Sequence, residues 1–523
     1  MTDATDSRRW LALGVLCFSV LLVSLDQTVL NVALPTLIGD LHPSASGLPW
    51  IADSYTLASA VLIIIGGALG DRFGRRRIFL LGVAVFGVSS LACALSHDTG
   101  MVIAARGAMG LGAALLMPAT LSIIAMTFEG AQRLRAIGIW AGVSGIGTAA
   151  GPLLGGWLLQ HYWWGSVFLI NVPIAVAALI AGYLVIRESR APHDVPLDIL
   201  GVVLSSLGLA AITYGLIVAP DHGWGSVQAL APLLGGVALV VVFVFWERRC
   251  STPLIDLHLF GNRTFSSALG AVTAIFFVMF GVSYLFSQFI QFAQGHDSFG
   301  VGLRFLPLAI GTLISANLAP RITHKLGLRA VMVVGMVMIV VSLVLLAEMQ
   351  ADSSDWLLIA SFGLIGLGMG LVIAPASSAI IGTLPPAKVG AGSGLRSMVQ
   401  LLGGSFGVAI IGSLATQRYR AHINHDLNTT LQGLPPAART QVADQIGHAV
   451  AVAKTLPPDL AKATTTAASN AFVSGMHLDA IVGAAVMVVA TIVAAIFIPQ
   501  RVEHAMLPAP LEPGPVEAAE ALS

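Results

Sequence analysis

The stretch FSVLLVSLDQTVLNVALP, residues 18–35, places a carboxylate inside an almost entirely apolar run. Asp26 lies near its centre, and Gln27 and Asn31 add further polar groups. A charge at the centre of a bilayer costs on the order of 2.5–3.5 kcal/mol on insertion scales, so such a residue usually faces a cavity or a partner. The run is too long for a cleaved signal peptide and lacks a small-residue cleavage site. The run therefore predicts a membrane helix in which Asp26 faces a cavity or a partner.

The composition of the whole chain is that of a membrane protein. Its 523 residues are 56% hydrophobic and only 10% charged, whereas soluble domains average about 25% charged residues. The 56 glycines suit membrane helices that pack closely. The net formal charge is zero, which gives no electrostatic basis for binding nucleic acid. The three cysteines, Cys17, Cys93 and Cys250, provide neither a disulfide framework nor a metal-ligand spacing.

Apolar runs of about 20 residues, the length that crosses a bilayer core, indicate fourteen transmembrane helices. The approximate spans are 11–37, 49–70, 78–96, 99–125, 136–159, 166–186, 198–218, 229–247, 265–293, 300–320, 330–348, 355–383, 390–416 and 475–498. Lysine and arginine cluster after the even-numbered spans, with Lys388 and Arg396 assigned to the loop after span 12. The short loops after spans 1, 3, 5, 7, 9 and 11 contain none. Because basic loops stay cytoplasmic, we expect both termini inside.

An internal repeat predicts how these helices are organised. GAMGLG at 107–112 matches GLIGLG at 363–368, and FGRRRIFLLG at 73–82 can be laid on LGLRAVMVVG at 326–335. Offsets of about 253 to 256 residues correspond to roughly eight helices, so two extra helices separate two six-helix halves. We predict an N-terminal half at 1–190, an inserted pair at 191–262 and a C-terminal half at 263–500. Paired halves around a central cavity are typical of transporters.

Two regions lie outside the predicted spans. Residues 417–474 are expected to form an external loop, in which ARTQVADQIGHAVAVAK, residues 438–454, indicates one short amphipathic helix on the surface. The Pro-rich, acidic tail at 501–523 is predicted to be a disordered cytoplasmic segment. Neither region carries recognisable chemistry.

Several motifs resemble those of the major facilitator superfamily, which implies its all-α membrane fold. GGALGDRFGRRR, residues 66–77, resembles the signature loop between helices 2 and 3, and ARGAMGLGAA, residues 105–114, resembles the helix 4 motif. GIGTAAGPLLGG, residues 145–156, resembles the helix 5 motif of antiporters. The fourteen-spanner drug:proton antiporter family is the nearest resemblance, carried by LDQTVLNVALP (25–35), WIADSYTL (50–57), FLINVP (168–173) and ERRCSTPLIDLHLF (247–260). The chain departs from these patterns at Met109, usually glutamine, and at His324, which corresponds to Asp71 in the first half.

The resemblance implies a secondary transporter of the cytoplasmic (inner) membrane, not an enzyme. It would export drugs or other lipophilic or cationic small molecules in exchange for protons, with the proton gradient as its energy source and no cofactor or metal. The alternative is a dedicated exporter of an endogenous metabolite or antibiotic; a solute importer or a non-transport membrane protein agrees less well with the motifs. Its partners would be the substrate, protons and the lipid bilayer, with no nucleic acid, and a monomer is compatible with the sequence.

Asp26, Asp53 and Arg106 are the predicted proton-coupling residues. At 1.5 Å per residue, Asp26 lies ~25 Å along helix 1 from Arg9, and Asp53 lies ~27 Å along helix 2 from Asp71. Arg106 lies in the outer half of helix 4, so the three residues share one layer of the membrane. Desolvation favours the protonated carboxylic acid and a nearby arginine favours the carboxylate, so such an acid can load and release a proton. The alternatives are a purely structural ion pair, and an Asp53 that is simply wetted at the outer mouth.

The signature loop predicts a gate made of Asp71, Arg72, Gly74 and Arg75. Asp71 could pair with Arg75 or face a helix N-terminus, and Gly74 allows a tight turn. The arginines would bridge neighbouring helix ends and hold one conformation closed. The alternative, favoured for Arg76 and Arg77, is positive charge that only sets the topology.

The helix 5 motif predicts a close helix contact. Gly147, Gly151 and Gly155 lie four residues apart and so share one face, with Gly156 beside them. Pro152 removes a backbone donor and tends to kink the helix. We expect this face to seal the outer half, where the two halves would meet when the transporter faces inward, although ordinary small-residue packing is an alternative.

Aromatic residues on helix 9 give a candidate substrate-binding wall. Phe276, Phe280 and Tyr284 recur every four residues and are followed by Gln288. With Tyr55 on helix 2, this face could stack planar or lipophilic cations. A lipid-facing or packing stripe is the alternative.

Overall fold

The computed structural model describes residues 2–41, 47–190, 198–250, 253, 257–384 and 389–500, and every regular element in them is helical. The N-terminal half contains α1 (Thr2–Leu41), α2 (Gly47–Phe73), α3 (Arg75–Ala94), α4 (Thr99–Thr127), α5 (Gly130–His161), α6 (Ser166–Leu169) and α7 (Asn171–Val185). The inserted pair is α8 (Ile199–His222) and α9 (Val227–Glu247). The remaining helices are α10 (Arg263–Gln288), α11 (Ser298–Leu326), α12 (Leu328–Ala347), α13 (Asp355–Gly382), α14 (Val389–Thr429), α15 (Pro436–Asp444), α16 (Ile446–Ala453) and α17 (Pro458–Phe497).

The chain is a multi-pass membrane protein. Twelve helices in the described residues are long and apolar enough to span a membrane. Helix α2 is bent by 54° and adds a thirteenth if its two parts form one span. A helix coincides with each of the fourteen predicted spans, and α5 is the one that is not among these thirteen. The count of fourteen crossings therefore stays a prediction.

The internal repeat has a structural counterpart in the packing of glycines. Gly82 on α3 packs on the backbone of Gly112 on α4, and Gly335 on α12 packs on Gly368 on α13 in the same way. The tight turns also correspond, because Gly74 and Gly327 both have positive φ, at 108° and 86°. Equivalent helices of the two halves thus pack through equivalent positions.

The first residues of α1, the turn between α2 and α3 and the end of α17 lie on one side of the membrane, here called the basic side. Arg8 Nε donates to the carbonyl oxygen of Val185 at 3.1 Å. The Arg75 amide donates to Ser189 at 2.9 Å. In the other half, the Leu328 amide donates to the Gln500 carbonyl at 3.0 Å. These bonds tie the chain ends of each half to its signature turn.

The two halves meet closely on the basic side. Gly138 and Gly142, in the first half of α5, pack on Ala316 and Leu313 of α11, respectively. Gly67, near the end of α2, is in contact with the backbone of Gly390 and Gly394 at the start of α14. Helices approach this closely only where side chains are missing, so the basic side of the central region is closed in this conformation.

The inserted helix α8 lies beside the place where the halves meet. It packs on α2 and α14, and the Trp50 and Tyr214 rings stack with centroids 5.9 Å apart. Trp224, just after α8, donates to Ser413 Oγ on α14 at 2.9 Å. The inserted pair is therefore attached to both halves and is not a loosely tethered addition.

The region expected to be an external loop is a helical cap, which corrects the predicted organisation of 417–474. Helix α14 continues to Thr429, and α17 begins at Pro458. The single amphipathic helix predicted at 438–454 is two helices, α15 and α16, because Gln445 between them adopts an extended conformation. Tyr419 Oη donates to the Val442 carbonyl oxygen at 2.8 Å and fixes the cap on α14. The tail at 501–523 lies outside the described residues.

Candidate functional site

Asp26 and Arg106 form the centre of the candidate site. Arg106 on α4 donates through Nη1 to Asp26 Oδ2 on α1. The two side chains are only 2% and 1% exposed, respectively. Arg106 Nε also donates to the carbonyl oxygen of Ile51 on α2 at 3.2 Å. The predicted pairing of acid and arginine in one layer is therefore present, and it connects α1, α2 and α4.

Two further residues complete the surroundings of Asp26 and were not singled out from the sequence. Asn171 Nδ2, at the start of α7, lies 3.4 Å from Asp26 Oδ1 and donates to Ser90 Oγ at 3.1 Å. Ser90 in turn donates to the Phe168 carbonyl oxygen at 2.9 Å. Asn171 belongs to the FLINVP motif, so the motif was visible in the sequence, but nothing in it indicated contact with helix 1.

The third predicted coupling residue, Asp53, belongs to α2, but its side chain is outside the part of the structure that is described. Its neighbour Tyr55 is placed clearly. The Arg106 guanidinium carbon lies 4.6 Å from the centroid of the Tyr55 ring, a cation–π arrangement. Tyr55 is thus part of the Asp26–Arg106 site, and Asp53 stays a prediction.

A cavity of about 330 Å³ adjoins this ion pair and lies between the two halves. Arg106 and Tyr55 form part of its wall, and α8 contributes Leu216 and Ile217. The other lining residues include amides and hydroxyls among apolar groups: Val23, Gln27, Leu30, Thr56, Ser59, Ile63, Ala113, Ala114, Met117, Phe280, Ser397, Gln400, Leu401, Gly404, Ser405, Val408 and Ala409. Among the lining side chains that the structure describes, Arg106 carries the single formal charge.

The predicted aromatic wall only partly reaches this cavity. Phe280 lines it, and Phe276 lies beneath Phe280 with ring centroids 6.1 Å apart. Tyr284 is 45% exposed and packs on Gly412, and Gln288 lies at the end of α10; neither lines the cavity. The four-residue spacing selected a helix face, but of its four residues Phe280 alone lines the cavity.

Arg396 is buried inside α14, so its assignment to a basic loop is wrong. It is 1% exposed, and its Nη1 donates to Gln400 Oε1 one turn further along. Its guanidinium carbon lies 5.2 Å from the Trp140 ring centroid on α5 and 5.7 Å from that of Phe276 on α10. This burial was not predictable from the sequence, because a basic residue near the end of an apolar run usually marks a loop.

The predicted gate residues form a compact turn on the basic side. Arg75 donates to Asp71 Oδ1 from Nε at 3.0 Å and from Nη2 at 2.5 Å, and both residues are buried. Gly74 has φ of 108°, and a Cβ there would come within 2.6 Å of the Glu188 carboxylate. Arg72 lies outside the pair, with its guanidinium 5.4 Å from the Phe73 ring centroid.

Asp71 also lies against α14 of the other half. A Cβ built on Gly390 would be 2.5 Å from the Asp71 carboxylate. Glu188, which the sequence did not single out, lies 3.8 Å from Arg76 and 3.7 Å from Arg77. The turn therefore brings the Asp71–Arg75 pair to the contact between the halves.

The helix 5 glycines face α1 of the same half in this conformation, and the seal expected in the inward-facing conformation stays a prediction. Gly147 packs against Ser24, and Gly151 packs against Thr28 and Val29. Gly155 lies against Val29, while Gly156 is partly exposed and the Pro152 side chain is outside the described residues. Spacing identified the glycine face, but it could not identify the helix that covers it.

Comparison with known proteins identifies the family. The model of the Major Facilitator Superfamily matches residues 16–408. The chain belongs to this superfamily of membrane transporters. In the described part of the chain, no three His, Cys, Asp or Glu side chains come together as a metal site requires.

Relatives of similar length are efflux and resistance proteins. The multidrug efflux pump LfrA of Mycolicibacterium smegmatis is 34% identical over 94% of this chain and 97% of its own. The tetracenomycin C resistance and export protein of Streptomyces glaucescens is 34% identical, covering 93% and 91%. The methyl viologen resistance protein SmvA of Salmonella typhimurium is 34% identical, covering 89% and 93%.

Solved structures confirm the major facilitator fold. The proton:xylose symporter XylE aligns with a TM-score of 0.59 at 14% identity, covering 95% of this chain and 97% of that chain. The human organic anion transporter MFSD10 aligns with the same TM-score of 0.59 at 14% identity, covering 93% and 99%. At this identity the likeness concerns the fold alone.

Proposed function

We propose that this transporter exports lipophilic small molecules of the drug class across the cytoplasmic membrane in exchange for protons. The observation that carries the proposal is the buried Asp26–Arg106 pair, whose arginine forms part of the cavity wall. Asp26, which would take up the proton, is thus next to the cavity wall that would bind the substrate. The efflux and resistance functions named for the relatives support the same direction of transport.

The ion pair supplies a physical means of coupling. When Asp26 is ionised, its charge is balanced by Arg106 and it accepts a hydrogen bond from Asn171. Protonation of Asp26 removes that balance and leaves the guanidinium charge in the cavity wall uncompensated. Burial makes each unpaired charge costly, so proton loading changes both the electrostatics of the cavity and the contacts between α1 and α4.

The Asp71–Arg75 turn would hold the basic side closed until that change occurs. It lies where α2 packs on α14, and the closed contact involves backbone atoms of Gly67 and Gly390. We assign the basic side to the cytoplasm, because lysine and arginine accumulate in cytoplasmic loops. Both ends of the chain would then be cytoplasmic.

An efflux screen tests the proposal. The gene is expressed in a host that lacks its main pumps, and accumulation of lipophilic dyes and antibiotics is measured with and without a protonophore. We expect lower accumulation that returns to the host level when the protonophore is added. Protection limited to one endogenous compound would favour the dedicated exporter, and equal accumulation in expressing and empty cells for every compound would contradict export.

A further inference from the structure

Arg396 has a hydrogen-bonding edge without a partner in the described residues. Its Nη1 is held by Gln400, but Nε and Nη2 are buried and make no hydrogen bond there. Together these two nitrogens form the edge with which a guanidinium binds a carboxylate through two parallel hydrogen bonds. Leaving such donors buried and unsatisfied is unfavourable, so an edge of this kind indicates a missing acceptor.

The position of Arg396 makes the cavity the place from which an acceptor would come. Gln400, which binds Nη1, lines the cavity, and so does Ser397, the next residue in the chain. Phe276, under the guanidinium, packs on Phe280 in the cavity wall. Arg396 therefore lies directly behind the part of the lining that Ser397 and Gln400 form.

The described carboxylates near Arg396 do not neutralise it. Asp71 is engaged by Arg75, and Asp26 by Arg106. Gly67 on α2 packs on Gly394 on α14, and at 1.5 Å per residue Asp53 lies about 21 Å along α2 from Gly67, beyond the bend in that helix. That separation is beyond the reach of an ion pair. Arg396, behind the cavity lining, thus has no described carboxylate that balances its charge.

We propose that Arg396 binds an acidic oxygen of the substrate, a carboxylate, phenolate or enolate on a planar aromatic framework. The Trp140 and Phe276 ring centroids lie 5.2 and 5.7 Å from the guanidinium carbon and interact with its charge, while Nε and Nη2 stay without an acceptor. The apolar cavity wall above would hold the aromatic body. This assignment rests on the proposed export function, and it replaces the preference for cationic substrates that the sequence suggested.

Binding to the purified protein in nanodiscs tests the assignment without requiring transport. The probes are 2-hydroxy-1,4-naphthoquinone, an anion at neutral pH, and its neutral 2-methoxy ether, which has the same ring system. The wild-type protein should bind the anion more tightly than the ether. Arg396→Gln should weaken binding of the anion by about tenfold to a hundredfold, the effect of losing hydrogen bonds to a charged group, and should change binding of the ether by less than about threefold.

Further variants separate the assignment from structural effects. Arg304→Gln removes an arginine that is paired with Asp355 away from the cavity, and it should leave both affinities unchanged. Arg396→Lys should retain part of the preference for the anion because it keeps the charge. Equal affinities of the wild type for the two probes, or equal losses for both in Arg396→Gln, would overturn the assignment. The Asp26→Asn protein should lose proton coupling and still bind the anion more tightly than the ether. A failure of the proposed proton coupling can therefore be told apart from a failure of the assignment of Arg396.

Discussion

Arg106 on α4 and Asp26 on α1 are joined in an ion pair that is almost completely removed from solvent, with the two side chains 2% and 1% exposed, respectively. Breaking such a pair by removing one partner costs about 3–5 kcal/mol, because the remaining charge stays buried. The pair lies at the wall of the cavity between the halves. A change in the charge of the pair therefore affects what the cavity can bind.

Arg106→Ala should abolish export while the protein still reaches the membrane. The substitution leaves Asp26 without its cation, so the acid is held protonated and can no longer release its proton in each cycle. Arg106→Lys should keep measurable export because it retains the charge, although it loses the bond that Nε makes to Ile51. Dye efflux normalised to membrane abundance measures both variants, with Arg304→Ala as the control. Normal efflux by well-inserted Arg106→Ala protein would refute this role.

Gly67→Ala should open the basic side. A Cβ at this position would overlap the carbonyl oxygen of Gly390 on the opposing helix. A steric cost of about 1–3 kcal/mol shifts a two-state equilibrium by roughly fivefold to more than a hundredfold. The cavity would then be reached more often from the cytoplasm.

Cysteine labelling measures this shift. In a background without Cys17, Cys93 and Cys250, Ser397→Cys places a thiol in the cavity wall. A membrane-impermeant maleimide added to the cytoplasmic side should label it faster in the Gly67→Ala protein. Gly270→Ala is the matched control, because a Cβ at Gly270 meets no atom within 4 Å. Identical labelling rates in the Gly67→Ala and Gly270→Ala proteins would argue against the closed contact.

The sequence allowed much of this architecture to be predicted. The apolar runs predicted where the helices lie, and the repeat predicted which glycines correspond. The depth of Asp26 and Arg106 was predictable because both residues interrupt helices whose direction was known from the basic loops. Their pairing followed, since two buried opposite charges at one depth are unfavourable apart.

Other features depend on which helix faces another, and that is not encoded in a single helix. The Gly147–Gly155 spacing gave a face without identifying α1 as its partner. Arg396 was assigned to a loop because charge near the end of an apolar run usually marks a membrane boundary. The amphipathic pattern at 438–454 predicted helix there, but it did not show the break at Gln445 or the contact of Tyr419 with Val442 that holds the cap on α14.

Gly151→Leu should impair export by displacing α1. The glycine packs on Thr28 and Val29, one turn from Asp26, so a larger side chain pushes away the helix that carries the acid. We expect an inserted protein with strongly reduced export. Gly235→Leu is the control, since nothing lies within 4 Å of a Cβ there. Export equal to that of the control would show that the glycine face is ordinary packing without functional consequence.

Deleting the cap should leave transport largely intact. Residues 431–456 contain α15 and α16 and none of the residues that line the cavity. A short Gly/Ser linker joins α14 to α17 in place of the deleted residues. The same protein carries Tyr419→Ser, because removing the cap would otherwise expose this aromatic side chain to solvent. Efflux per inserted molecule should stay within about twofold of the parent, a free-energy change under about 0.5 kcal/mol. Complete loss at normal abundance would give the cap a role in transport.

Proton exchange by the Asp26→Asn protein in reconstituted vesicles tests the central claim most directly. Vesicles loaded with a pH-sensitive dye receive a pulse of a substrate identified by the efflux screen, and proton movement and substrate movement are recorded together. The wild-type protein should move protons opposite to the substrate. The Asp26→Asn protein should bind the substrate but show no substrate-driven proton movement. Proton-coupled exchange by Asp26→Asn at the wild-type rate would contradict the account.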